Sequence, residues 1–128
     1  MAVFIVAILV WLQLKHFVAD YLLQPGWILG GKGDPRKLGG YVHAGIHVLG
    51  TAPVYVFAGI DASLALVLMG AEFCIHYVID YTKIVYSSVR SDAISQRRFW
   101  ALHGVDQLMH HLTYSAILFV ILSSGVRA

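Results

Sequence analysis

The stretch His76-Tyr77-Val78-Ile79-Asp80-Tyr81-Thr82-Lys83 lies inside a long apolar segment of the chain. Its ionisable residues His76, Asp80 and Lys83 follow the three- and four-residue spacing of an α-helix, so they share one helix face. The apolar segment, residues 62–86, is long enough to cross a bilayer. Ionisable groups are costly at bilayer depth and tend to mark functional sites there. The stretch therefore predicts a membrane helix with a polar site along one face.

The composition of the whole chain is typical of a membrane protein. Of its 128 residues, 59% are hydrophobic and 12% are charged, and the mean hydropathy is +0.72. A soluble globular domain has about twice this share of charged residues. The length allows one compact domain, residues 1–128, and the net charge of +2 is too small to indicate nucleic acid as a partner. The single cysteine, Cys74, excludes an internal disulfide, and we expect it to be a small buried apolar residue.

Four apolar segments predict four membrane-spanning helices, which is an all-α, polytopic bundle. We expect these helices at residues 3–24, 41–60, 62–86 and 99–124. Most basic loop residues lie in loops 25–40 and 87–98, and the positive-inside rule then places both loops in the cytoplasm and both termini outside. Ser91, Ile94 and Trp100 in and beside the second loop predict a short helix along the membrane surface.

Each predicted helix carries one polar stripe when its residues are placed at 100° intervals. The stripes consist of Gln13, His16, Asp20 and Gln24, then His43 and His47, then Glu72, His76, Asp80 and Lys83, and finally His103, Asp106, Gln107 and His110. The rest of each helix is apolar, so we expect the four stripes to meet inside the bundle. All four fall in its cytoplasmic half, in two layers about 6 Å apart at a rise of 1.5 Å per residue. The deeper layer contains His16, His47, His76 and His110, and the shallower one contains Asp20, His43, Asp80 and Asp106.

The two halves of the chain resemble each other. The sequence from His16 to Tyr21 matches the sequence from His76 to Tyr81 at both the histidine and the aspartate. The pair His43 and His47 corresponds in spacing to Asp106 and His110. We therefore expect two copies of one helical hairpin that converge on a shared centre, as functional sites often do in membrane proteins built from repeats.

The four motifs together resemble a known family. They are HxxxDxxxQ (His16, Asp20, Gln24), HxxxH (His43, His47), HxxxDxxK (His76, Asp80, Lys83) and DQxxH (Asp106, Gln107, His110), in this order. This set is similar to a family of small four-helix membrane proteins of bacteria and phages whose function is unknown, and the resemblance covers nearly the whole chain. It implies a four-helix fold with a shared polar centre, in the inner membrane of a bacterium, and implies no particular activity.

Carboxylates and imidazoles on facing helices are the ligands from which helical bundles build di-iron and di-manganese centres. We therefore expect one or two divalent transition-metal ions, zinc, iron or manganese. The expected ligands are His16, Asp20, His47, His76, Asp80, Asp106 and His110. A metal would also offset several buried carboxylates, which would otherwise protonate or destabilise the bundle. For any single histidine, a hydrogen bond between helices is the alternative to metal ligation, and bis-histidine haem ligation is a further alternative for the deeper layer.

The leading functional hypothesis is a metal-dependent hydrolase that acts on a phosphoester or an anionic lipid at the cytoplasmic leaflet. Glu72 or His43 is the expected general base, and the expected accessory or substrate-contacting residues are Lys83, Gln24, His103 and Gln107. Lys83 has two alternatives, which are to neutralise Asp80 or to extend to the membrane surface. The chain contains neither HExxH nor GxSxG, so neither a zincin protease nor a nucleophile-elbow hydrolase is supported.

Two other classes of protein remain open. The first is a carrier or channel subunit for a divalent metal or for protons, in which the two layers form a relay. Such a path would have to cross the outer half of the bundle, where polar residues are few, unless a homo-oligomer supplies it. The second is a metal-stabilised scaffold that performs no reaction.

Overall fold

The computed structural model describes residues 1–89 and 96–125, and the regular elements within them are all helical. Helix α1, Ala2–Phe17, continues into a π-helical turn at Val18–Leu22. The short helix α2 spans Gly26–Leu29, within the predicted loop 25–40. The remaining helices are α3, Gly39–Ala58, α4, Ala62–Val89, and α5, Gln96–Ser123. The prediction of an all-α protein is confirmed.

Three of the described helices are long and apolar enough to cross a membrane. They are Ala2–Leu22, Ala62–Ser87 and Gln96–Ser123, which correspond to α1 with its π-helical turn, most of α4, and α5. Helix α3 has 20 residues, among them His43, His47 and Pro53, and is not one of these three. Membrane association is therefore supported by three helices, on length and composition.

The bounds of α4 and α5 differ from the predicted ones. Helix α4 continues to Val89 and α5 already begins at Gln96, so both extend into the predicted loop 87–98. Ser91 and Ile94, on which the predicted surface helix depends, lie outside the described residues. Cys74 is exposed on α4, so the expectation that it is buried was wrong. It lies two residues from both Glu72 and His76, which puts it on the opposite side of the helix from that buried face.

A tight turn makes α3 and α4 antiparallel neighbours. Gly59 ends α3 in the left-handed conformation, with φ of 62°, which a residue with a Cβ rarely adopts. Asp61 then begins α4, because its carboxylate accepts hydrogen bonds from the Ser63 hydroxyl and, at 2.8 Å, from the Ser63 backbone N–H. These bonds lower the pKa of the Asp61 carboxyl, since they stabilise its ionised form.

The four longer helices contact one another in a closed order: α1 with α3, α3 with α4, α4 with α5, and α5 with α1. One half of the interior is apolar and contains Ile8, Leu12, Val54, Tyr55, Leu68, Ile117 and Ile121. The other half contains buried polar residues from the C-terminal halves of α1 and α4 and from the N-terminal halves of α3 and α5. The fold therefore separates a dry end from a polar end, and the candidate site lies in the polar one.

Candidate metal centre

Four histidines, one from each long helix, form a closed ring in the polar half of the interior. Neighbouring ring centroids are 5.2 Å apart for His16 and His47, 3.8 Å for His47 and His76, 4.3 Å for His76 and His110, and 5.2 Å for His110 and His16. None of the four is more than 4% exposed. The structure thus brings together the whole deeper layer that the helical spacing predicts.

On one side of the ring, Asp20 lies against His16 and His47. Its two carboxylate oxygens are 3.2 Å from His16 Nε2 and 3.0 Å from His47 Nε2. Asp20 belongs to the π-helical turn, a local distortion that is frequent at functional sites. On the far side of both imidazoles, the Tyr114 hydroxyl lies 2.8 Å from His16 Nδ1 and 3.3 Å from His47 Nδ1. Tyr114 therefore holds both rings with their Nε2 atoms towards the carboxylate.

On the opposite side of the ring, His76, Asp80 and His110 form a second group. His110 Nδ1 donates a hydrogen bond to the Asp106 backbone carbonyl at 2.8 Å, so in the neutral ring the Nε2 lone pair is free. That Nε2 atom is 3.4 Å from His76 Nε2, and the Asp80 carboxylate is 3.6 Å from each of the two nitrogens. Tetrahedral zinc with bonds of about 2.0–2.1 Å separates its ligand atoms by about 3.4 Å. The second group has nearly this spacing.

His43 lies between the two aspartates. Its Nε2 atom is 3.2 Å from Asp20 Oδ1 and 3.4 Å from Asp80 Oδ2, and the residue is 0% exposed. At these contacts neither ring nitrogen of His43 has a well-aligned hydrogen bond, whereas Asp80 Oδ2 has a cationic neighbour, Lys32 Nζ, at 2.8 Å. Buried polar atoms without partners are uncommon in proteins. A metal ion beside His43 Nε2 would give this nitrogen a partner, so the residues present fit a metal ion.

The ligand atoms form three overlapping groups, each within 4.8 Å. The groups are His16 with Asp20 and His47, then His76 with Asp80 and His110, and then His43 with His47 and His76. Mixed imidazole and carboxylate ligands suit zinc, iron and manganese. The first two groups share no residue, so each could hold an ion of its own.

Three lysines also supply positive charge. Lys15 Nζ lies 2.8 Å from Glu72 Oε1, Lys32 Nζ lies 2.8 Å from Asp80 Oδ2, and Lys83 Nζ lies 2.7 Å from Asp106 Oδ2. Lys83 therefore neutralises Asp106, and the alternative in which it neutralises Asp80 was wrong. Lys32 takes that place because its loop folds back against the helices. Gly31 allows this close fold, since a Cβ there would lie 2.8 Å from the Gly39 Cα.

The other predicted site residues lie around the three groups. Asp106 is buried, pairs with the half-buried Lys83 and is in none of the groups, although it lies one helical turn from His110. Glu72 lies on the apolar side of the ring. Its Oε1 atom accepts hydrogen bonds from Lys15 Nζ and from the Thr51 hydroxyl, both at 2.8 Å.

The accessory residues differ in how directly they contact the centre. Gln107 Oε1 accepts a hydrogen bond from His16 Nε2 at 3.0 Å, so it contacts a ring nitrogen of the first group. His103 Nδ1 lies 3.5 Å from Lys83 Nζ, and Gln24 donates to the Asp20 backbone carbonyl. These residues form the rim of the centre.

Three residues of this network were not predicted from the sequence. Tyr114 is four residues beyond His110 and so continues the stripe of α5, a signal that the sequence does contain. Lys15 lies one residue from His16, outside the stripe of α1. The only signal for it is that the carboxylate of Glu72, inside a bundle, requires a cation as partner. Lys32 was interpreted as a topology-determining loop residue, whereas it is 7% exposed and belongs to the site.

A small polar cleft of about 130 Å³ lies beside the centre. The two aspartates of the three groups, Asp20 and Asp80, line it together with Lys32, Lys83 and His103. The centre is thus reached through a cleft that contains two ammonium groups.

A comparison with protein families finds one whose description is "Protein of unknown function (DUF3307)", matching residues 8–127. The chain belongs to this family. The matched range includes all the residues of the three groups and of the polar cleft. The resemblance to an uncharacterised family is confirmed at this level. Neither a curated protein nor a solved structure matches the chain significantly.

Proposed function

We propose that this protein crosses the membrane four times and holds one or two divalent metal ions, zinc, iron or manganese, between two similar helical hairpins. The symmetry of the ligands supports this reading. Helix α1 with its π-helical turn, and helix α3, contribute His16, Asp20 and His47, and helices α4 and α5 contribute the equivalent His76, Asp80 and His110. In this proposal α3 crosses the bilayer with its polar face towards the centre, where His43 and His47 are 0% exposed.

The polar half of the bundle then lies on the cytoplasmic side of a bacterial inner membrane, with both termini outside. Loop 25–40 contains Arg36 and Lys37 in addition to the buried Lys32, whereas the turn between α3 and α4 carries only Asp61. This distribution follows the positive-inside rule. Substrate would reach the centre from the cytoplasmic leaflet.

The reaction that we propose is hydrolysis of a phosphoester. A bound divalent metal supplies a water molecule of lowered pKa and stabilises negative charge on a phosphoryl oxygen. The observation that carries the proposal is the pair of adjacent histidine and aspartate groups beside a cleft that contains Lys32 and Lys83. These two ammonium groups suit an anionic substrate, and each is already within 2.8 Å of a carboxylate.

Of the two candidate general bases, the geometry favours His43. Its Nε2 atom lies between both aspartates, whose negative charges would balance the charge of the ring once it has accepted a proton. Glu72 is engaged by Lys15 and Thr51 on the far side of the histidine ring. We assign the proton-accepting role to His43, and a structural role to Glu72.

The apolar half of the interior argues against transport by a single chain. Beyond Glu72 the buried residues include Ile8, Leu12 and Ile121, each at most 1% exposed. Among the described residues, this layer offers ions or protons few polar partners, such as the Tyr55 hydroxyl. The two other hypotheses, a metal or proton carrier and a metal-stabilised scaffold, are distinguished from the hydrolase by the experiment below.

The test is hydrolysis of p-nitrophenyl phosphate by the purified chain after loading with Zn²⁺ or Mn²⁺. We expect metal-dependent turnover. The hydrolysis rate of Asp20→Asn should be at least about a hundredfold lower than that of the wild type, because a metal ligand is removed. Asp61→Asn is the matched control, since asparagine also caps a helix. A metal-loaded chain that does not hydrolyse the phosphoester would favour the scaffold, and metal uptake into proteoliposomes would favour the carrier.

A further inference from the structure

We propose that the ligand of the polar cleft is a membrane lipid with a phosphate headgroup, which reaches the cleft sideways between α4 and α5. This inference rests on the proposed function, because it names the class of phosphoester that the centre accepts. It is carried by a second cavity, whose position and lining are independent of the metal-binding groups.

The second cavity is an apolar groove of about 380 Å³ between α4 and α5. Its apolar lining includes Val78 and Ile79 from α4 and Leu102, Val105 and Met109 from α5. This volume falls within the range of about 300–1,000 Å³ that is usual for ligand sites. Both helices are candidate membrane spans, so the groove opens towards lipid.

The groove and the polar cleft share two residues. Lys83 and Asp106 line both cavities, so the apolar groove ends where the polar cleft begins. The side chain of Lys83 is 28% exposed at this junction, and its Nζ atom is 2.7 Å from Asp106 and 3.5 Å from His103. A molecule that fills both cavities must therefore have an anionic end beside Lys83 and a long apolar end along α4 and α5.

A phospholipid has this polarity, and a soluble phosphoester does not. The headgroup phosphate would contact Lys83 and Lys32 in the cleft, next to Asp20 and Asp80 of the metal-binding groups. An acyl chain would cover Val78 and Val105, each 58% exposed in the groove. A soluble phosphoester could fill the polar cleft alone and would make no contact with this groove.

The experiment measures retention of dioleoyl phosphatidic acid by the full-length chain in detergent, using native mass spectrometry. Val78→Trp places a large side chain in the groove, and Val67→Trp is the matched control, because Val67 is an exposed valine of the same helix outside the groove. We expect the wild type and Val67→Trp to retain the lipid. Val78→Trp should bind it at least about tenfold more weakly, since two or more methylenes of the acyl chain lose their contacts.

A second arm separates lipid from soluble phosphate. Glycerol 3-phosphate has the same headgroup without acyl chains, and we expect it to displace the lipid poorly. Equal retention by Val78→Trp and the wild type would overturn the proposal, as would efficient displacement by glycerol 3-phosphate. A groove-dependent dimer that binds no lipid would also overturn it, because the groove would then be an interface between copies.

Metal content measured on the same samples distinguishes the two proposals. A chain that retains lipid through the groove but binds no metal would refute the metal-dependent function and leave the lipid site standing. A chain that binds metal and retains lipid independently of Val78 would refute the lipid site alone.

Discussion

His76 Nε2 and His110 Nε2 lie 3.4 Å apart between α4 and α5, within 3.6 Å of the Asp80 carboxylate. Because His110 donates its Nδ1 proton to the Asp106 carbonyl, its Nε2 lone pair faces His76 and Asp80. Two imidazole nitrogens in this arrangement either share a proton or bind a common cation. The carboxylate beside both nitrogens, and the matching group around Asp20, favour a metal ion.

The Tyr114 hydroxyl should be needed for tight metal binding. It contacts Nδ1 of both His16 and His47, and loss of such an orienting group typically weakens metal affinity by about 10–100-fold. We therefore expect this loss in Tyr114→Phe, measured by competition with a chromophoric chelator. Tyr55→Phe is the control, because the Tyr55 hydroxyl is also buried but has no hydrogen-bond partner among the described residues. Equal affinity of both variants would show that Tyr114 does not orient the ligands.

Lys32 should compete with a metal for Asp80. Its ammonium lies 2.8 Å from Asp80 Oδ2, so a cation that binds this oxygen has to displace it. Lys32→Met should bind Zn²⁺ about tenfold more tightly, which corresponds to about 1.4 kcal/mol. Lys37→Met, in the same loop but exposed, should bind as the wild type does. Weaker binding by Lys32→Met would mean that the lysine supports the metal-bound form instead.

Acidification should release the metal. Imidazole and carboxylate bind a metal only in their deprotonated forms, so protons compete with it and affinity falls as the pH decreases. Occupancy should be high near pH 8 and fall steeply below about pH 6.5, the pKa of a free imidazole. Metal content after dialysis at each pH provides the measurement, with circular dichroism to verify that the helices persist. Occupancy that is independent of pH would exclude histidine ligands.

The pair of Lys15 and Glu72 should stabilise the fold only as a pair. Both side chains are nearly fully buried, at 5% and 0% exposure, and removing one partner leaves an uncompensated charge. Lys15→Met should lower the free energy of unfolding by about 3–5 kcal/mol. The double variant Lys15→Met and Glu72→Gln should recover much of this loss in unfolding experiments in detergent. Additive losses would show that the two residues do not act as a pair.

Many residues of the centre could be predicted from the sequence because their helical spacing determines which face of a helix they share. His16 and Asp20, or His76 and Asp80, lie four residues apart, which places them on one face whatever the rest of the chain does. The alternating direction of the helices then brings all four stripes to one end. Tyr114 extends the same spacing by one turn.

The lysine partners were not predictable in the same way. Spacing along one helix says nothing about a cation from another element, and Lys32 reaches Asp80 from a loop 48 residues away in sequence. Its position depends on the close approach of Gly31 and Gly39, a tertiary contact. The π-helical turn at Asp20 is likewise a local distortion with no signature in the pattern of polar residues.

The most direct test of the metal centre is elemental analysis of the purified wild-type chain and of Asp80→Ala, with Asp61→Asn as the control. We predict at least one transition-metal ion per chain in the wild type and in Asp61→Asn, and loss of metal in Asp80→Ala, since Asp80 belongs to one of the three groups that could hold a metal ion. A folded wild-type chain that contains no transition metal, and takes up none when Zn²⁺, Fe²⁺ or Mn²⁺ is supplied, would contradict the account.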